Sequence, residues 1–157
     1  MSLCLTCGLC CDGTMFQVVP VTPDEATRLE GRVTLSGDRS KLLQRCRALD
    51  GCACGVYADR PQTCRAFKCL VLAHLEEGKL SETDAHEAIE DVLGRRERVA
   101  ELLGEADVRT AMERAREQVS AGTASDELTV ALRRLGQALL FMQLQPQDSA
   151  LRDFKKS

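Results

Sequence analysis

Tryptophan is absent from the 157 residues, and one Tyr and four Phe hold the aromatic share at 3%. A core without large rings must be assembled from Leu, Val and Ala, which favours helices over an aromatic-rich β-sandwich. Stacking platforms for single-stranded nucleic acid are missing for the same reason. No apolar run approaches the roughly 18 residues of a membrane span. The opening Met-Ser-Leu-Cys-Leu-Thr-Cys has neither the basic n-region nor the apolar h-region of a signal peptide, so a cytoplasmic chain is expected. Positive charge is not in excess: the formal net charge of -3 and pI of 5.5 leave no global field to recruit nucleic acid. There is no C-x3-C-x2-C radical motif, no glycine-rich nucleotide loop, no G-K-[ST] and no Ser/His/Asp constellation, and no catalytic residue is assigned. Histidine is limited to His74, expected to pack or lie exposed on a helix, and His86, expected to be solvated on a charged face.

What the chain has in excess is cysteine. Nine cysteines stand at 4, 7, 10, 11, 46, 52, 54, 64 and 69, with none beyond 69. The odd number, without an export signal, disfavours a disulfide framework. Metal ligation explains the density better, because thiolates bind Zn²⁺ and iron–sulfur clusters tightly. Charge divides along the same line. Residues 1–70 carry nine Lys+Arg against seven Asp+Glu, and residues 71–157 carry twelve against seventeen. The cysteine half is the more cationic, which helps to hold thiolates deprotonated.

Local patterns give two regions. Cys4–Cys11 reads as a loop, with Gly8 free to take a positive φ. Met15–Val19 is a short β-prone run. Thr22-Pro23-Asp24-Glu25 is a helix start with a capping box. Arg32–Leu35 is read as a second short strand and Ser40–Leu49 as a brief helix, and Asp50-Gly51 marks a tight turn. Asp59-Arg60-Pro61 is read as opening one helix that runs to Gly78. That helix would place Cys64 in its first turn, where the dipole favours the thiolate, and would set Cys64 and Cys69 about 140° apart. Two residues so placed cannot easily bind one ion: either the helix starts late or they serve different atoms of the site. From Leu80 the pattern is helical in three segments, ending on a stripe of Leu128, Ala131, Leu132, Leu135, Ala138, Leu139 and Met142. The stripe reads as helix–helix core, with enough apolar surface to allow a homodimer or a protein partner. The expected organisation is a cysteine-cluster region over 1–78, a helical region packed on it over 79–145, and a flexible tail over 146–157. The fold class is mainly α, with an irregular, metal-stabilised first half containing at most a small β hairpin.

Cys4-x2-Cys7-Gly8 fits a zinc knuckle. The run Cys4-x2-Cys7-x2-Cys10 equally fits a ferredoxin-type loop for a [4Fe–4S] cluster with a remote fourth ligand. The adjacent pair Cys10 and Cys11 seldom binds one tetrahedral ion and suggests two metals, a bridging thiolate or a cluster. Arg45, Arg47, Arg60, Arg65 and Lys68 surround the second cysteine group; neutralising thiolates is favoured for them over contacting nucleic acid or phosphate.

The combined pattern resembles the YkgJ-type cysteine-cluster family of zinc- or iron-chelating proteins. Cys4, Cys7, Cys10 and Cys11 match its C-x2-C-x2-C-C block, and Cys46 matches the next position. Cys54, Tyr57, Arg60, Pro61, Cys64, Arg65 and Phe67 match C-x2-Y-x2-R-P-x2-C-R-x-F, and Cys69 supplies the eighth cysteine. The resemblance covers residues 4–69 and leaves Cys52 without a place. It implies a metal module ligated by Cys4, Cys7, Cys10, Cys11, Cys46, Cys54, Cys64 and Cys69, with Tyr57, Arg60 and Pro61 as a structural corner. Some relatives are labelled iron–sulfur proteins or oxidoreductases, and flagellin lysine methylases share a similar cysteine pattern. Eight thiolates could make two Cys₄ zinc sites, one binuclear site, or an iron–sulfur cluster beside a structural zinc. Zinc is preferred, in a structural or metal-handling role. An iron–sulfur redox or methyltransferase component and a zinc-based nucleic-acid binder are the alternatives.

Overall fold

A computed structural model describes residues 3–143. The first half is a chain of short pieces: α1 (Cys4–Cys7), β1 (Val18–Pro20), α2 (Pro23–Arg28), β2 (Lys41–Leu43), β3 (Leu49–Asp50), β4 (Ala53–Cys54), a 3₁₀ turn (Tyr57–Asp59), α3 (Gln62–Ala66) and α4 (Leu70–Glu76). Three longer helices follow, α5 (Glu82–Leu103), α6 (Val108–Ala121) and α7 (Asp126–Gln143). The protein is mainly helical, and its β content among the described residues is two separate two-stranded antiparallel sheets, β1–β2 and β3–β4.

The long helices begin and end where their sequences say they should. Ser81 caps α5 in a capping box with Asp84, and Gly104 closes it at φ 61°. Asp107 accepts from the Thr110 N–H at the start of α6, and Gly122 ends it at φ 69°. The Leu128 N–H donates to Ser125 Oγ at the head of α7. α5 packs against α6 and α7, and α4 lies across α5 and α7. Ile89, Val92 and Val99 of α5 meet Met112 of α6 and Leu128, Leu135, Leu139 and Met142 of α7 in one buried cluster. Alanines at 85, 111 and 115, each fully buried, let the helices approach closely. Every Leu buried in this way contributes about 1.5–3 kcal/mol. Leu3, Cys7, Leu9, Met15 and Val71 belong to the same cluster, so the bundle and the cysteine segment share a core. Val130 and the adjacent Leu140 and Phe141 remain exposed on α7. The expected tail, 146–157, lies outside the described residues.

Four local expectations are corrected. Residues Cys4–Cys7 form one turn of helix rather than a loop, capped by Gly8 at φ 70°. Ser40–Leu49 is not helical: Leu42 points inward between outward neighbours and pairs with Val19, and this tertiary pairing overrides a weak helical preference. Arg32–Leu35 contributes only an isolated bridge, Leu35 to Leu42, because the Val33 N–H stays bonded to the Leu29 carbonyl and its side chain is buried. The helix expected from Pro61 to Gly78 is interrupted. Phe67 and Cys69 are extended (ψ 125° and 160°), and the Phe67 ring stands edge-on to Phe16 at 4.9 Å.

Other expectations hold. α2 carries the Thr22 capping box, and the β3–β4 hairpin turns through Gly51 at φ 56°, the positive value a II′ turn requires at its first central residue.

Candidate metal centre

Gly8 reverses the chain after α1. A Cβ at this position would lie 3.3 Å from Cys52 Cα, so glycine is required for both the φ and the approach of the β3–β4 turn. Its carbonyl accepts from the Cys11 and Asp12 N–H groups at 2.8 and 3.0 Å, forming the tight turn that carries the adjacent cysteines. The two belong to different apolar clusters. The Cys10 thiol donates to Met15 Sδ at 3.7 Å and packs, with Cys7 and Cys69, against the bundle core. Cys11 packs with Cys46, Cys54 and Cys64 around Leu29, Leu42 and Val56, and its carbonyl accepts from the Cys46 N–H at 2.8 Å.

Electrostatic proximity divides the thiols in the same way. Cys7 lies within reach of Cys4 and Cys69, and Cys10 within reach of Cys4, Cys7 and Cys69. Cys11 lies within reach of Cys46, Cys54 and Cys64, and Cys64 within reach of Cys46 and Cys54. Across the two sets, Cys10 and Cys11 act on each other as neighbours in the chain, and α1 lies against β4. The interruption at Phe67–Cys69 makes this division possible. Cys64 sits inside α3, whereas Cys69 is the N-cap of α4 and accepts from the Leu72 N–H at 3.5 Å.

Burial sets the chemistry of these sulfurs. It pushes the Cys7 and Cys11 thiols up to about 12, and the neighbouring cysteines add to the effect. Cys10 is raised further by the same causes, and Cys46 and Cys69 are raised by burial. The expectation that a helix start would lower the Cys64 thiol is overturned. Burial, with Cys46 and Cys54 close by, lifts it to about 11 and outweighs the Arg60 charge acting in the opposite direction. The five-residue α3 supplies too little dipole to compete. A set of buried thiols that repel one another once ionised is chemically suited to a thiophilic cation, which removes the protons and the repulsion together. All nine cysteines line one largely apolar cavity of about 270 Å³. Among the described residues, no three Cys, His, Asp or Glu side chains converge closely enough to hold an ion as they stand.

The surroundings hold the frame. Asp12 accepts from Arg96 of α5 at 2.5 Å, with side chains 12% and 16% exposed, and its other oxygen accepts from the Thr14 N–H at 2.7 Å. This pair ties the turn bearing Cys10 and Cys11 to the bundle. Its partners are 84 residues apart, and nothing local in the sequence signals it. Glu25, read as half of a capping box, also accepts from the Gln62 N–H at 2.7 Å and so positions the start of α3 and Cys64. Both peptide donors hold its carboxyl below the usual range, the Thr22 N–H most strongly.

The Tyr57–Pro61 corner is held by its own contacts. The Arg60 guanidinium lies 3.8 Å over the Tyr57 ring, and Arg65 donates to the Arg60 and Ala58 carbonyls. Lys68 pairs with Glu76. These commitments absorb most of the basic cluster. His74 is half-buried on α4 and His86 exposed on α5, as expected.

Residues 3–90 match the family described as CxxCxxCC, a putative zinc- or iron-chelating domain. No curated protein and no solved structure matches the chain significantly.

Proposed function

The chain belongs to the CxxCxxCC family of zinc- or iron-chelating domains, and from that premise we propose that it binds metal through Cys4, Cys7, Cys10, Cys11, Cys46, Cys54, Cys64 and Cys69 in a structural or metal-handling role. The observation that carries the reading is the gathering of these thiols, buried or half-buried but for Cys4, around one apolar cavity. Zinc is the preferred metal: it takes four thiolates tetrahedrally, and Cys4-x2-Cys7-Gly8 presents two of them on one helical turn closed by a glycine. Bound zinc supplies charge neutralisation and a cross-link. The protein's own contribution is the frame from Asp12–Arg96 and Glu25, with Arg60 as counter-charge. Cys52, exposed on the hairpin turn, is not needed.

One observation favours a second reading. Cys4, Cys7 and Cys10 gather with the remote Cys69, the ligand arrangement of a [4Fe–4S] loop, which would make the protein a redox component. A nucleic-acid role is disfavoured because Arg60, Arg65 and Lys68 are already engaged within the fold.

Elemental analysis and an absorption spectrum of untagged protein, purified without oxygen, test these readings. Zinc at one to two per chain with no band near 400 nm is the expected result. Iron with matching sulfide and such a band gives the redox reading. Protein free of metal, and unable to take up zinc after reduction, refutes both.

A further inference from the structure

We infer that the eight thiols form two separate four-cysteine metal sites, Cys4/Cys7/Cys10/Cys69 against the helical bundle and Cys11/Cys46/Cys54/Cys64 among the β-segments, with Cys52 in neither. The inference rests on the chelating reading above and adds the number of ions and the ligands of each.

Four features of the fold lead to it. The two apolar clusters share no residue, and the cysteines they contain sort three to one cluster and four to the other. The tight turn from Gly8 sends Cys10 to the first and Cys11 to the second, so the C-C dipeptide is a divider rather than a bidentate ligand. The extended break at Phe67–Cys69 does the same for Cys64 and Cys69, with the Phe16–Phe67 contact fixing its position on the bundle side. The peptide hydrogen bond from Cys46 to Cys11 fastens two members of the second group to each other across 35 positions of sequence. Cys4 joins the first group through α1, whose other end is the buried Cys7.

Coordination chemistry fits the same count. A tetrahedral thiophilic cation takes four thiolates, so eight cannot surround one ion, and two complete sites use all eight with none left over. Loading each site moves four S–H protons to solvent and replaces them with one divalent ion, leaving a site of formal charge -2. Arg60 is a cation close enough to act on Cys64 of the second group.

The test is stepwise chelation of the zinc-loaded full chain with thiol alkylation and peptide mapping. The loaded chain is expected to hold two zinc ions, with only Cys52 modified. When one zinc remains, one complete quartet is expected to be alkylated and the other protected. A modified set drawn from both quartets at that stage overturns the inference, as does protection of Cys52 in place of one of the eight. Cobalt(II) titration provides a second arm. Cys69→Ser and Cys64→Ser are each expected to saturate at one tetrahedral thiolate-bound cobalt, against two for the parent. A variant with a native circular dichroism spectrum that binds none, or still binds two, also overturns it. A parent chain that binds no metal refutes instead the chelating reading on which the inference rests.

Discussion

The pair between Asp12 and Arg96 offers the clearest test of how the cysteine turn is held. Asp12→Asn keeps an oxygen for the Thr14 N–H but removes the charge opposite Arg96, whose Nε already has no hydrogen-bond partner. Breaking a fully buried ion pair costs about 3–5 kcal/mol. These side chains retain 12% and 16% exposure, so water recovers part of the loss and about 2–3 kcal/mol is expected. Asp12→Ala also loses the bond to the N–H of buried Thr14 and should cost about 1 kcal/mol more. Arg96→Met leaves the carboxylate without its cation and should fall in the range of Asp12→Asn. The double variant Asp12→Asn/Arg96→Met should be more stable than the sum of the singles by at least about 1.5 kcal/mol, because it strands neither charge. Urea unfolding at fixed free zinc measures all four values. Asp12→Asn within about 0.5 kcal/mol of the parent, or strict additivity in the double variant, would refute the reasoning.

Two further outcomes follow from the glycines and from the titrating groups. Gly8→Ala should cost about 2 kcal/mol or more, combining a left-handed residue with a Cβ pressed to 3.3 Å from Cys52 Cα, whereas Gly51→Ala, at φ 56° with nothing within 4 Å, should cost only about 1 kcal/mol; thermal unfolding of the pair ranks them. The stability of the metal-free chain should fall at both ends of the pH scale. Glu25 has a lowered folded pKa, so its contribution is complete above the ordinary 4.5 and disappears as pH drops through the lower folded value. The thiols have raised folded values, so their contribution is complete below 9 and is lost as pH climbs through about 11–12 for Cys64, Cys7 and Cys11. Unfolding midpoints across pH should show Glu25→Gln flattening the acid side alone, and bound zinc removing the alkaline loss.

The sequence by itself determined much of the helical half. Caps at Ser81, Asp107 and Ser125, glycines at 104 and 122, and the spacing of Ile89, Val92, Leu128, Leu135 and Met142 are local signals, and a helix depends mainly on local hydrogen bonds. Cysteine density similarly announced a chelating chain before any fold was known, because ligand chemistry resides in residue type. Tertiary structure decided what depended on distant partners. Leu42 became a strand residue because Val19 lay opposite it, and the helix after Pro61 broke so that Phe67 could meet Phe16. Cys64 was lifted rather than lowered in pKa because burial among other cysteines outweighs a short helix dipole. The assignment of each cysteine to a neighbour rests on the same kind of distant contact. The turn after Gly8, the bond between Cys46 and Cys11, and the Asp12–Arg96 tie bring together residues from 84 positions apart down to adjacent ones, and spacing in the chain carries no record of them.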